Sequence, residues 1–186
     1  ELLNLLALPH PGETVARMRA LGVLREVLPE SGAREIEALR GLIAAEARAG
    51  MAPDPLRRLA ALLPALAPVA ETVAARLRLS RAQRARLACV AARGDGAEAN
   101  PRALAYREGI DCARDRLLLA GLDPAPLLRW DVPQLPLKGG EIVARGIDAG
   151  PEVARILRAI EERWIAEGFP PRDRVSHILD ELLSSG

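Results

Sequence analysis

The run Leu135-Pro-Leu-Lys138-Gly139-Gly140-Glu-Ile142-Val-Ala-Arg145-Gly146-Ile-Asp-Ala-Gly150-Pro151-Glu-Val-Ala-Arg155-Ile-Leu-Arg-Ala-Ile160-Glu-Glu-Arg-Trp164-Ile165 is punctuated as two helices and a corner. Gly139-Gly140 allows a sharp start to a short helix, and Gly146 can close it in a left-handed cap. Ile147 to Ala149 form a turn. Pro151 then takes the first position of a second helix, where its missing N–H costs nothing. Val153, Ile156, Leu157, Ile160 and Trp164 recur at helical spacing and make one apolar stripe. Helix N-termini favour anions. Lys138, Arg145 and Arg155 stand beside these corners. The spacing alone reads first as an ordinary helical hairpin with solvated charges, and it also fits a phosphate backbone as ligand.

Composition extends the helical reading to the whole chain. Its 186 residues suffice for one large domain or two small ones. Apolar residues reach 49%, enough for a sizeable core, whereas aromatics are 2% and Thr occurs only at Thr14 and Thr72. Ala and Leu dominate, which favours helix over strand. The predicted fold class is all-α, with no sheet. Every basic residue except Lys138 is Arg; with the Ala content, this reads as a GC-rich genome and not as a nucleic-acid signature. A net charge of +1 neither demands nor excludes an RNA partner.

Cys89 and Cys112 are too few for a disulfide framework and match no metal spacing, so they are expected as two small core or half-buried thiols. His10 and His177 have no ligand pattern around them. No signal peptide or uninterrupted apolar 20-mer is present, and the expectation is a soluble, cytoplasmic protein. The chain opens on Glu1 inside a Leu-rich run, without Met, which leads to the expectation of a fragment of a longer protein.

Local signals divide the remainder into helices. Residues 1–8 read as helix stopped by Pro9-His10-Pro11, residues 13–21 as a helix closed by Gly22, and 23–28 as a short apolar segment. Residues 34–49 form the next helix, with Gly50 as terminator. Asp54-Pro55 is an N-cap followed by proline at the first helical position. Residues 68–78 form another helix, and Ser80-Arg81-Ala82-Gln83 is a capping box opening the one after it. Asp95 to Asn100 is a polar break, and Asn100-Pro101, Ile110 and Asp123-Pro124 begin three further helices. Residues 131–136, with two prolines, are the best linker. Pro170-Pro171 breaks the tail helix before a last amphipathic one over 174–183, and Ser184 onward is expected to fray.

The chemical signal is basic. Between Glu71 and Asp95 lie Arg76, Arg78, Arg81, Arg84, Arg86 and Arg93, with no acidic residue among them. Arg81 and Arg84 stand near the start of their helix, where the dipole mildly opposes positive charge. The run is either a solvated helix face or a stripe that contacts phosphates without reading bases. With so few aromatics, base stacking is an unpromising mode, and a folded RNA recognised by shape and backbone fits better. Asp111 and Asp115 share one helix face, with Arg114 and Arg116 beside them, and are expected as a surface ion-pair cluster in preference to a metal site. The chain has no Asp-x-Asp pair, no Ser/His/Asp or Cys/His arrangement and no phosphate-binding P-loop, so no catalytic or metal-binding residue is assigned.

Leu135-Pro-Leu-Lys-Gly-Gly-Glu-Ile142, followed by Gly146-Ile-Asp-Ala-Gly-Pro-Glu-Val-Ala-Arg-Ile-Leu157, resembles the C-terminal segment of bacterial class II CCA-adding tRNA nucleotidyltransferases and their poly(A) polymerase relatives, the alphaproteobacterial version most of all. Ile142 stands where that family usually has Leu. Glu1-Leu2-Leu3, Gly22-Val23-Leu24, Pro29-Glu30 and the run from Asp54 to Pro64 are also similar to the family's neck and body. The resemblance implies a multi-helix arm with the end of a neck (1–30), a helical body (31–130) and a tail with a helical hairpin (131–186). It implies that a separate N-terminal catalytic head adds CMP and AMP to tRNA 3′ ends with Mg²⁺, CTP and ATP. The arm would hold tRNA, through Arg76, Arg78, Arg81, Arg84, Lys138, Arg145 and Arg155, and would need no cofactor and catalyse nothing alone. The family's nucleotide-selecting Glu-Asp-x-x-Arg motif is absent here. Two other readings stay open: a helix-hairpin-helix DNA-binding module, although two extra residues lengthen the turn between Gly146 and Gly150, and a helical protein–protein adaptor.

Overall fold

The computed structural model describes residues 1–94 and 96–184. Asp95, which opens the polar break, and Ser185 and Gly186, expected to fray, lie outside the described residues. Among those described there are thirteen α-helices, one 3₁₀ turn and no strand. None of the helices is long and apolar enough to cross a membrane. Contacts divide the chain into two compact units, Glu1–Trp130 and Asp131–Gly186. The division falls where the two-proline stretch begins.

The first unit holds α1 (Leu2–Leu6), α2 (Gly12–Ala20), α3 (Val23–Val27), α4 (Ala33–Arg48), α5 (Pro55–Ala61), α6 (Ala67–Arg76), α7 (Arg81–Ala91), the 3₁₀ turn Ala97–Ala99, α8 (Pro101–Glu108), α9 (Ile110–Leu119) and α10 (Ala125–Leu128). The caps explain several of these boundaries. Asp54 Oδ1 accepts from the Leu56 and Arg57 amides, both at 2.9 Å, and Pro55 sits at the first helical position of α5. Ser80 and Gln83 exchange the two hydrogen bonds of a capping box at α7. Asn100 Oδ1 accepts from the Ala103 amide at α8. Residues 23–28, read as an apolar segment, contain a helical turn that packs Leu24 inward.

One apolar cluster gathers Leu6, Val15, Leu24 and Leu28 with Leu39, Leu59, Val73 and Leu87, so residues 1–30 share their core with α4 to α7. A smaller cluster of Leu104, Ala105, Ala113, Leu117 and Leu127 lies under α8 to α10, with Trp130 packed against it.

α7 and α9 lie in contact with constant register. Arg86 reaches Asp115 at 2.7 Å, and one turn away Cys89 is bonded to Cys112. Both pairs have residue numbers summing to the same value, so the helices run antiparallel. This corrects the expectation of two thiols. Crossing helices bring Cα89 and Cα112 to 6.2 Å, within disulfide range, and a spacing of 23 residues in sequence carries no sign of that register.

The second unit comprises α11 (Gly139–Val143), α12 (Pro151–Ala166) and α13 (Arg172–Ser184). Its buried residues are Leu137, Ile142, Ile156, Ile160, Trp164, Ile165, Val175, Ile178 and Leu179. Ile156, Ile160 and Trp164 belong to the expected stripe, while Val153 and Leu157 are half-buried. A Cβ on Gly139 would meet Val153 Cγ1 at 3.2 Å, so the small residue permits the close approach of α11 to α12. Gly146 has φ 93°, the left-handed cap read from the sequence. The Trp164 indole donates to Pro170 O at 2.8 Å and meets Phe169 edge-on at 4.9 Å, which pins the corner into α13.

Candidate nucleic-acid interface

The arginines of the basic run divide by what they already touch. Arg76 forms a two-pronged pair with Glu30, 2.9 and 2.6 Å, that ties α6 to the loop before α4. The Arg76 hydrogen bonds hold the Glu30 carboxyl below the usual carboxylate range. Arg86 is shared between Asp54 and Asp115. Arg93 donates to Leu63 O at 2.7 Å and to Val90 O. These three are structural ties. Arg78, Arg81 and Arg84 are exposed at the corner between α6 and α7. Arg84 Nε donates to Leu79 O at 3.0 Å, which props the corner. Neither Arg78 nor Arg81 meets an acidic group among the described residues.

Arg78 also holds a costly backbone. Its φ is 53°, in the left-handed region where glycine is usual, as it closes α6 with Leu79 N donating to Ala74 O. A non-glycine residue there costs on the order of 1 kcal/mol. The corner thus presents a charged side chain at a position where the backbone favours Gly.

In the second unit the charges are mostly matched. Arg145 pairs with Asp180 of α13. Arg155 pairs with Glu152 at 2.6 Å, one turn back on α12. Lys138 is exposed, and its amide donates to Glu141 Oε1 at 3.0 Å, so one N–H of the glycine corner is already used. Glu141, Asp148 and Glu152 surround this hairpin, and their charge opposes a phosphate there. The corner remains a helical hairpin on which Lys138, Arg145 and Arg155 are all exposed, the two arginines each paired with a carboxylate.

The carboxylates Asp111 and Asp115 differ from the expected surface cluster. Asp111 is exposed, but Asp115 is 1% exposed. Its partners are Arg86 and, at 3.7 Å, Arg57, not the neighbouring Arg114 and Arg116. Arg114 donates to Leu127 O, and Arg116 pairs with Glu98 at 2.8 Å in the interior. The reason is that α9 is buried on the face carrying Asp115, and helix spacing alone does not tell which face that is. Burial pushes the Asp115 carboxyl up to about 7, against the pull of Arg86 and Arg57.

Sequence reasoning missed the cluster that organises the first unit. Glu46 of α4 receives Arg57 Nε at 2.9 Å on one oxygen and Arg58 at 2.8 Å on the other. Arg58 also donates to Leu6 O and Leu8 O at the end of α1, and Arg57 to Ala52 O. All three side chains are at most 3% exposed. The signal available in sequence was Arg57-Arg58 set among Leu56, Leu59, Leu62 and Leu63, charges on a face whose neighbours are apolar. No protein-family model matches the chain, and no curated protein does either.

Proposed function

We propose that this chain is the RNA-binding C-terminal region of a class II tRNA nucleotidyltransferase or poly(A) polymerase, which positions tRNA for a catalytic head outside these residues. The motifs at 135–157 support the family reading. The observation that carries RNA contact is the corner between α6 and α7, where Arg78, Arg81 and Arg84 are exposed together and Arg78 keeps a left-handed backbone. Three exposed cations on one helical corner suit a phosphate backbone, which is bound by charge without base readout. The cytoplasm, where tRNA is processed, is the compartment that goes with this reading.

Mg²⁺ and nucleotide belong to the head. The chain's own carboxylate pair does not fit a catalytic metal, because Asp115 is buried against Arg86 while Asp111 faces solvent. No chemical step is assigned to these residues.

Titration of the purified chain with tRNA lacking its CCA end, and with duplex DNA of similar length, both at low salt, tests the proposal. Tighter binding of tRNA, and no incorporation of CTP or ATP with Mg²⁺, is expected. Preference for the duplex would favour the helix-hairpin-helix reading, and binding of neither would favour the adaptor.

A further inference from the structure

α7 and the turn that follows it are fastened to their neighbours at three levels. Arg86 is held by Asp54 and Asp115, Cys89 by Cys112, and Arg93 by Leu63 O. The covalent level is the middle one. Breaking it leaves polar ties a turn away on either side, so α7 has the means to stay docked without it.

The bridge is also reachable. Cys89 is half-buried and Cys112 is 4% exposed. Both line a cavity of about 470 Å³ together with Ala82, Ala85, Glu108 and Ile110. Glu108 Oε2 lies 3.5 Å from Cys89 Sγ. A disulfide sulfur has no proton to give that oxygen, but a thiol does, so the site holds a ready acceptor for the reduced form.

We propose that Cys89–Cys112 is a reversible thiol–disulfide exchange site, opened from this cavity by a dithiol, and that both redox forms are folded. A thiolate of the dithiol attacks Sγ of Cys89, the more exposed residue of the pair. A mixed disulfide forms on Cys89, and the electron pair of the broken bond leaves on Cys112, which takes a proton from water. The second thiol of the reagent then closes its own disulfide and releases Cys89, which is protonated and donates to Glu108. Two electrons and two protons pass to the protein, and the dithiol is oxidised. The consequence is a looser second half of α7, held by Arg86, Arg93 and the core packing of Leu87, Val90 and Ala91 without the covalent tie. The inference is independent of RNA binding.

The test uses the full oxidised chain in native buffer. Dithiothreitol should reduce the bridge at a rate that rises with reagent concentration, with helical circular dichroism unchanged. Amide exchange over residues 87–91 should then quicken about tenfold while α4 keeps its protection, and the Cys89→Ser/Cys112→Ser double variant should show the same pattern. Glutathione trapped before the second step should map to Cys89. Reduction only at the concentration-independent rate of global unfolding, loss of helix on reduction, or glutathione on Cys112 would each overturn the proposal.

Discussion

The two units hold the same kinds of ion in opposite surroundings. In the first, Glu46, Arg57, Arg58 and Asp115 are sealed in the interior and bind four separate segments, α1, α4, α5 and α9. In the second, Arg163 and Arg174 each bridge Glu167 and Glu181 in a ring across α12 and α13, all in solvent. A buried ion leaves its partner uncompensated when it is removed, whereas water takes over for an exposed one. Geometry in the two places is similarly good, so burial and not the count of salt bridges decides which charges matter for folding. The comparison also isolates a third class, the exposed arginines at the α6–α7 corner, where Arg78 and Arg81 do neither job.

The largest expected effect is in the interior. Glu46→Ala strands two arginines and should cost roughly 3–5 kcal/mol in urea unfolding of the first unit. A cost no greater than that of a surface substitution would erase the contrast between the units.

Next comes a pH effect with an unusual sign. The folded-state pKa of Asp115 is raised to about 7 from an ordinary value of 3.8. Between those values the folded chain holds a proton that the unfolded chain has released. Its contribution therefore makes stability fall as pH rises from about 4 to 7, opposite to a salt-bridged surface carboxylate. Asp115→Asn should flatten that slope in unfolding midpoints measured across the range.

Arg78→Gly should stabilise the protein by about 1 kcal/mol, because the left-handed backbone no longer strains a side chain. Tighter folding together with weaker tRNA binding is the expected combination. A loss of stability would show that the arginine side chain supports the corner.

The smallest effect belongs to the second unit. Hydrogen bonds from Arg174 first, and from Arg163, bring the Glu167 carboxyl down to about 2. Any stability from this group is present above the ordinary Glu pKa and is lost as pH falls toward 2. The ring is solvated, so Arg174→Gln should leave the unfolding curve at neutral pH and moderate salt superimposable on the parent.

What was legible in the sequence was local. Asp54-Pro55, Ser80 with Gln83, Asn100-Pro101 and Gly146 each satisfy backbone groups within three or four residues, so their neighbours in sequence are their partners in space. The helical class followed from the same short-range facts. The illegible part depends on which helix faces which. Arg76 meets Glu30 across 46 residues, Arg58 meets Leu6 across 52, and Cys89 meets Cys112 only because α7 and α9 run antiparallel. For the basic run, sequence showed that six arginines lack acidic neighbours in the chain. It did not show that Arg76, Arg86 and Arg93 have partners far along the chain, whereas Arg78 and Arg81 meet no acidic group among the described residues.

The salt dependence of tRNA binding tests the central claim most directly. It is measured for the parent chain and for the Arg78→Ala/Arg81→Ala/Arg84→Ala variant, with circular dichroism confirming that the variant is folded. Each lost phosphate contact removes roughly 0.7–0.9 from the slope of log affinity against log salt. Weaker binding and a slope shallower by about 2 are predicted for the variant. A folded variant with the parent's affinity and the parent's slope would contradict the claim and leave the α6–α7 corner as a solvated helix face.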